Sequence, residues 1–260
     1  MQHKHVRHFA PVVPLSIAQF LKGHDALGGY HLLLAHDVLA NPDAYRATYA
    51  GATDIIMDNS LIELGYPMRV RDVIEAARVV NAQKVVLPDV LGSLEETLTL
   101  VQQAYEDFYM LPLDVTAGLK MVAVVQGESR EECSRCLHEY SKLGVEISIP
   151  RVLVSILGSR MDVIREAYSM GFRNMHLLGF SDNLIDDVSS VRMPGVKGID
   201  SAVPIRAGVK GLYMALDDMD FSKNLGPRGS YWETDVEKMN AVDLSTICSN
   251  LYSYRKWINC

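Results

Sequence analysis

Asp58, Asp89 and Asp200 each close a short apolar run, in "TDIIMD", "KVVLPD" and "VKGID". Carboxylates gathered in this way suit chemistry at a sugar carbon. One attacks C1 or stabilises its positive character, while another moves protons at the leaving group or the incoming nucleophile. A third beside an amide can read the donor edge of a base, because an ionised Asp only accepts hydrogen bonds whereas Gln both donates and accepts. Gln126 ends "KMVAVVQ", and His176 and Gly179 lie in "NMHLLGF". The plainer alternative is a turn former or helix N-cap, the common role of a polar residue after a strand. Asp58 and Asp200 end apolar runs without standing where a cap would. In "PDVLGSLEET" Ser93 is the better cap, which leaves Asp89 as either a turn residue or a site residue.

The order of elements is what could bring these groups together. Apolar, β-branched runs at 30–36, 53–59, 83–89, 120–127, 145–150, 174–180 and 195–200 read as strands buried on both faces. Amphipathic segments at 43–51, 69–82, 93–108, 129–144 and 159–171 alternate with them. Strand starts recur at roughly 25 to 35 residues, the length of one βα unit. With "GLYMALDD" (211–218) as an eighth strand, the expected fold is α/β, a single (β/α)8 TIM-type barrel over 1–260. A doubly wound open sheet is the alternative, but the first βα turn has no GxGxxG and the number of units favours closure. The stretch 233–258 has helical spacing and is expected as the last outer helix, preceded by a long polar loop, "DMDFSKNLGPRGSYW". In a parallel barrel the C-terminal strand ends share one face, so the three aspartates, Gln126 and His176 would meet there.

Bulk properties narrow the class. Hydrophobic residues at 48% and charged residues at 22% fit a folded domain and exclude disordered and fibrous chains. A net charge of -7 argues against whole-surface attraction to nucleic acid and leaves room for a local basic groove. "MQHKHVRHFAPVVPLS" is broken by Pro11 and Pro14 before any signal-length apolar run, and no later run approaches a membrane span. The expectation is a cytoplasmic protein with a mobile N-terminus carrying His3, His5 and His8. Cys133, Cys136, Cys248 and Cys260 are too few and too uneven for a disulfide framework. "CSRC" lies inside a helical pattern without a second CxxC pair, so reduced thiols are expected there and no metal.

Four motifs resemble the tRNA-guanine transglycosylase superfamily and its phage and bacterial DNA-modifying relatives. "DNSLIELG" stands in the place of the family's DSGGFQ, and "DSAVPIR" repeats its Asp, Pro and Arg spacing around the nucleophile. "VVQG" is similar to its Val-Gln-Gly segment, and "HLLGF" to its His-Leu-Met-Gly segment. The resemblance runs from about residue 30 to 210 and makes Asp200 the nucleophile and Asp58 the general acid/base. It implies that Asp89, Gln126, Gly127 and Gly179 bind the base.

The departures point to one branch. The CxCxxC…H zinc subdomain of tRNA-acting members has no counterpart after Asp200, so the barrel is expected without a zinc-binding subdomain, and "SIPRVL" replaces the family's GLAVGE. Such a chain looks most like the compact phage DNA 7-deazaguanine transglycosylases. The resemblance therefore implies exchange of guanine in DNA for preQ0 or a derivative, a pentosyltransferase reaction, without metal, redox cofactor or nucleotide energy source. The implied partners are DNA and a free 7-deazaguanine, in a bacterial host cytoplasm if the chain is phage-encoded, with no membrane; homodimer formation is left open. tRNA as the polymer, or a carboxylate-based glycoside hydrolase, are the alternatives. Attack on C1′ calls for an unstacked nucleotide and a basic rim, for which Lys197, Arg206, Lys210 and Arg228 are the first candidates. Arg151, Arg160, Arg192 and Lys223 also lie near the later strands. The plainer role for each is a solvated surface charge. Trp232 could stack a base or simply pack.

Overall fold

The computed structural model describes residues 6–179, 184–215, 225 and 231–260. Eight strands form one sheet: β1 (His8–Pro11), β2 (Tyr30–Leu34), β3 (Asp54–Asp58), β4 (Lys84–Val86), β5 (Lys120–Val124), β6 (Glu146–Pro150), β7 (Met175–Leu178) and β8 (Val196–Ser201). Every registered pair is parallel, in the order β1-β8-β7-β6-β5-β4-β3-β2. β1 also lies against β2, which brings the sheet round into a nearly closed (β/α)8 barrel with helices outside.

Seven strands fall where the apolar runs place them. The eighth does not come from 211–218. Residues 211–215 are turn and irregular chain, and 216–218 lie outside the described residues. The missing strand is "HFAP" near the start, where His8 pairs with Gly198 and Ala10 with Asp200. His8 is thus a strand residue rather than part of a mobile segment. Only four residues long and ending on Pro11, this strand has too little period to read; its proline is tolerated because it ends the ladder.

Register fixes the interior. His8, Gly198, His176, Ser148 and Val124 are successive partners around the barrel and so share one layer. A Cβ on Gly198 would lie 2.7 Å from Tyr30 Cε1, so a side chain is missing where the Tyr30 ring enters. Between Met175 and His176 the register shifts by one residue, and Lys197 is the extra residue on β8. The bulge turns it toward Asp54 at the start of β3, with Nζ to Oδ2 at 2.5 Å. Nearby, buried Lys84 and more exposed Lys120 bracket Glu146 at 2.9 and 3.1 Å. These charges form a paired floor at the N-terminal strand ends.

The helices have local causes. In Arg130–Leu143 the Ser129 hydroxyl accepts from Glu132 N, and Gly144 ends the helix in the left-handed region. Cys133, Cys136, Leu137 and Tyr140 make its buried stripe, so "CSRC" is packing. Burial pushes the Cys133 thiol up to about 12 and Cys136 up to about 11, away from the thiolate that a metal needs. Among the described residues no group of three or more His, Cys, Asp or Glu could hold a metal ion. The last helix begins at Ala241 rather than near 233, because Asn240 caps it through Asp243 N; two short 3-10 turns precede it. It packs so closely on the helix Val203–Val209 that a Cβ on Gly208 would come within 2.4 Å of Ile247 Cγ1. No helix among the described residues is long and apolar enough to cross a membrane.

Candidate active site

Asp200 sits one residue from the end of β8, buried. Its Oδ1 accepts from the Gly179 backbone N–H at 2.9 Å and meets His176 Nε2 at 3.0 Å. On the other side of the imidazole, Nδ1 lies 2.7 Å from the Tyr30 hydroxyl. The chemistry of the chain fixes its polarity. Burial raises the Tyr30 pKa well above its ordinary value, so the hydroxyl keeps its proton, and with a neutral ring whose Nε2–H faces the acceptor-only Asp200 carboxylate it donates to Nδ1. Nε2 then carries the ring proton and donates to the carboxylate. Among the described residues no hydrogen bond reaches Asp200 Oδ2.

Behind this cluster is Arg160, fully buried although a lone arginine before a helix reads as surface. Its guanidinium donates to the carbonyls of Ile149 (3.2 Å), Leu178 (3.4 Å) and Gly179 (3.2 Å), and pairs with buried Asp187 at 2.5 Å. It ties together the ends of β6 and β7, so it cannot belong to a phosphate-binding rim. Its effect on the site is indirect: the peptide whose carbonyl it grips belongs to Gly179, the donor to Asp200. Gly179 has φ +71°, and a Cβ there would press on Arg151 Cδ at 3.2 Å, two reasons for glycine at this point.

Across the barrel, the end of β3 is stitched by side chains bonding two residues ahead. Asp58 Oδ2 accepts from Ser60 N (2.9 Å) and Asn59 Oδ1 from Leu61 N (3.0 Å). Ser60 is held at φ +61°, an uncommon setting for a residue with a side chain. Asn59 also donates to Leu87 O (2.8 Å) and Asp89 Oδ1 (2.7 Å), while Gln126 donates to Asp89 Oδ2 (2.7 Å) and accepts from Gly92 N (3.1 Å). Asp89 is therefore fixed between two amides, and each of its oxygens retains a second lone pair.

The electrostatics separate the carboxyls. Burial pushes Asp58 up to about 8; the charge of Glu63 adds to this, the Ser60 N–H opposes it, and Asp89 and Asp200 raise it further. Burial also lifts Asp89 to about 6, against the pull of its bonds from Asn59 and Gln126. At pH 7 Asp58 is mostly a protonated acid and Asp89 mostly a carboxylate.

The structure brings Asp58, Asp89, Gln126, Gly179 and Asp200 to the C-terminal strand ends. Gly127 is there too, with a packing reason of its own, since a Cβ would meet Glu132 Cβ at 2.8 Å. The basic candidates divide. Lys197 points to the floor, and Arg192 precedes β8 and donates to Trp257 O, so neither is at the Asp200 end. The bulge and the strand direction explain both misplacements. Arg206 and Lys210 follow β8 and both donate to Leu225 O, at 3.4 and 2.6 Å. Arg228 and Lys223 lie outside the described residues. Trp232 is half-buried against the core beside Tyr231.

Two contributors, Asn59 and Tyr30, are absent from the sequence expectations, and Arg160 figures there only as a candidate for the basic rim. Asn59 follows Asp58 directly, and the dipeptide could have flagged it; Tyr30 gave no local signal, and nothing local announced the buried role of Arg160. No protein-family model matches the chain, and no curated protein is significantly similar to it.

Proposed function

We propose that this chain is a guanine transglycosylase that exchanges guanine in DNA for a 7-deazaguanine base through a covalent aspartyl-nucleoside. The observation that carries this assignment is the division of roles at one barrel end. A carboxyl held protonated, Asp58, lies within electrostatic reach of a carboxylate, Asp200, whose Oδ1 is fixed by donors. An Asp200 oxygen bonds to C1′ as the C1′–N9 bond breaks; the electron pair leaves with guanine, which takes a proton from Asp58. N9 of the incoming base then attacks C1′, its proton passes to Asp58, and the pair of the O–C1′ bond returns to Asp200. Atoms and charge balance without a further reactant. Asp89 offers acceptors to N–H groups of the base, and Gln126 and Asn59 hold its plane. Gly127 and Gly179 border the base, with Arg206 and Lys210 toward the backbone of an extruded nucleotide.

The choice of DNA and of preQ0 or a derivative rests on the motif resemblance. Labelled free base offered with DNA or with tRNA tests it, together with trapping of a protein-polynucleotide adduct. Incorporation into DNA with an Asp200-dependent adduct is expected. Incorporation into tRNA alone would change the polymer, and sugar hydrolysis without exchange would replace the assignment by a glycoside hydrolase.

A further inference from the structure

We infer that the two oxygens of Asp200 have separate tasks: Oδ2 forms the bond to C1′, while Oδ1 stays in a donor pocket made by His176 and Gly179, with Tyr30 orienting His176. This rests on the transglycosylase assignment above and adds two positioning residues to it.

The geometry is specific. Oδ1 takes both donors, and among the described residues Oδ2 takes none. Tyr30 reaches His176 from β2 through the barrel interior, over the space left by Gly198, and all three side chains of the relay are buried. The acceptor-only Asp200 carboxylate calls for Nε2–H, and a Tyr30 hydroxyl donating to Nδ1 holds the neutral imidazole in that tautomer.

The consequence follows from where charge goes. In the first step the Asp200 carboxylate loses its negative charge as the ester forms; in the second it regains that charge as the ester breaks. Donors on Oδ1 favour the charged form. They make Asp200 a weaker nucleophile and a better leaving group, and so keep the covalent adduct from accumulating. Tyr30 acts on this balance only through His176.

Single-turnover exchange on a labelled oligodeoxynucleotide, with rapid quenching, measures adduct formation and breakdown separately. Tyr30→Phe keeps the ring and removes the hydroxyl. It should slow breakdown roughly tenfold, the effect of weakening one charge-assisted hydrogen bond, without slowing formation. The fraction of enzyme trapped as adduct at steady state then rises. His176→Phe should show the same asymmetry more strongly, and His176→Gln, which can still donate, should restore part of the breakdown rate. Equal slowing of both steps, or an unchanged adduct fraction, would overturn the inference and leave Asp200 as the nucleophile. No exchange of labelled base into any polymer by the wild type would overturn the transglycosylase assignment, and this inference with it. Independently of turnover, ¹⁵N NMR of His176 should show a neutral ring protonated at Nε2; an Nδ1-protonated ring would overturn the relay.

Discussion

The two ends of the barrel treat buried charge in opposite ways. At the floor each interior acid has a cation beside it: Asp54 has Lys197, and Glu146 has Lys84 and Lys120. At the mouth, no Lys or Arg among the described residues pairs with Asp58, Asp89 or Asp200. Their partners are backbone N–H groups, amides and an imidazole: Ser60 N, Asn59, Gln126, His176 and Gly179 N. Charge compensation makes the floor inert. Its absence at the mouth leaves two carboxyl groups at about 8 and about 6, where protons can be exchanged near neutral pH.

Four substitutions can break or sharpen this contrast. Asp200→Asn replaces the attacking group by an isostere and should lower exchange by at least about 1000-fold in the labelled-base assay, while urea unfolding remains close to wild type. Arg160→Met removes one member of the buried pair behind the mouth and takes the guanidinium from beside buried Asp187. A loss of about 3 to 5 kcal/mol in urea-measured stability is expected, and less when Asp187→Leu is added.

Asp58→Asn tests the cost of an unpaired carboxyl. The folded-state pKa lies above the unfolded one, so folding favours the protonated form. Stability from this group is complete below the unfolded value of 3.8 and falls as pH rises, until the group is ionised in both states above about 8. The Asn variant should therefore gain on the wild type between those limits, by on the order of a few kcal/mol at pH 8.5 and nothing comparable at pH 4. Thermal melts across pH read the difference, and exchange should be lost at both. A constant offset would mean that Asp58 is not raised. Lys197→Met, at the floor, should give the smallest effect: exchange within about threefold of wild type and a stability change of about 1 to 2 kcal/mol. A large loss of exchange there would join the two ends into one functional unit.

Much of this contrast was written locally. Asp58, Asp89, Gln126 and Asp200 end runs whose βα spacing already places them on one face, so the mouth could be read from order and period alone. The floor could not. Lys197 stands three residues before Asp200 and reads as its neighbour, but one bulge residue and the length of the strand send it to the other end. Arg160 looks like a surface charge because most of its acceptors are backbone carbonyls at the ends of two strands, which no side-chain pattern announces. Tyr30 and His176 meet across the barrel, a pairing decided by closure. Closure in turn depends on "HFAP", too short to carry a period.

That short strand also sets an order of events during synthesis. Ala10 emerges from the ribosome among the first residues of the fold, yet its neighbour in the sheet is Asp200. β1 must wait without its ladder partner until β8 has been made, and such distant pairings are expected to form late. The residue assigned as nucleophile thus sits on a pairing between distant parts of the chain, so a nascent chain that has not yet made β8 has no assembled site with which to act.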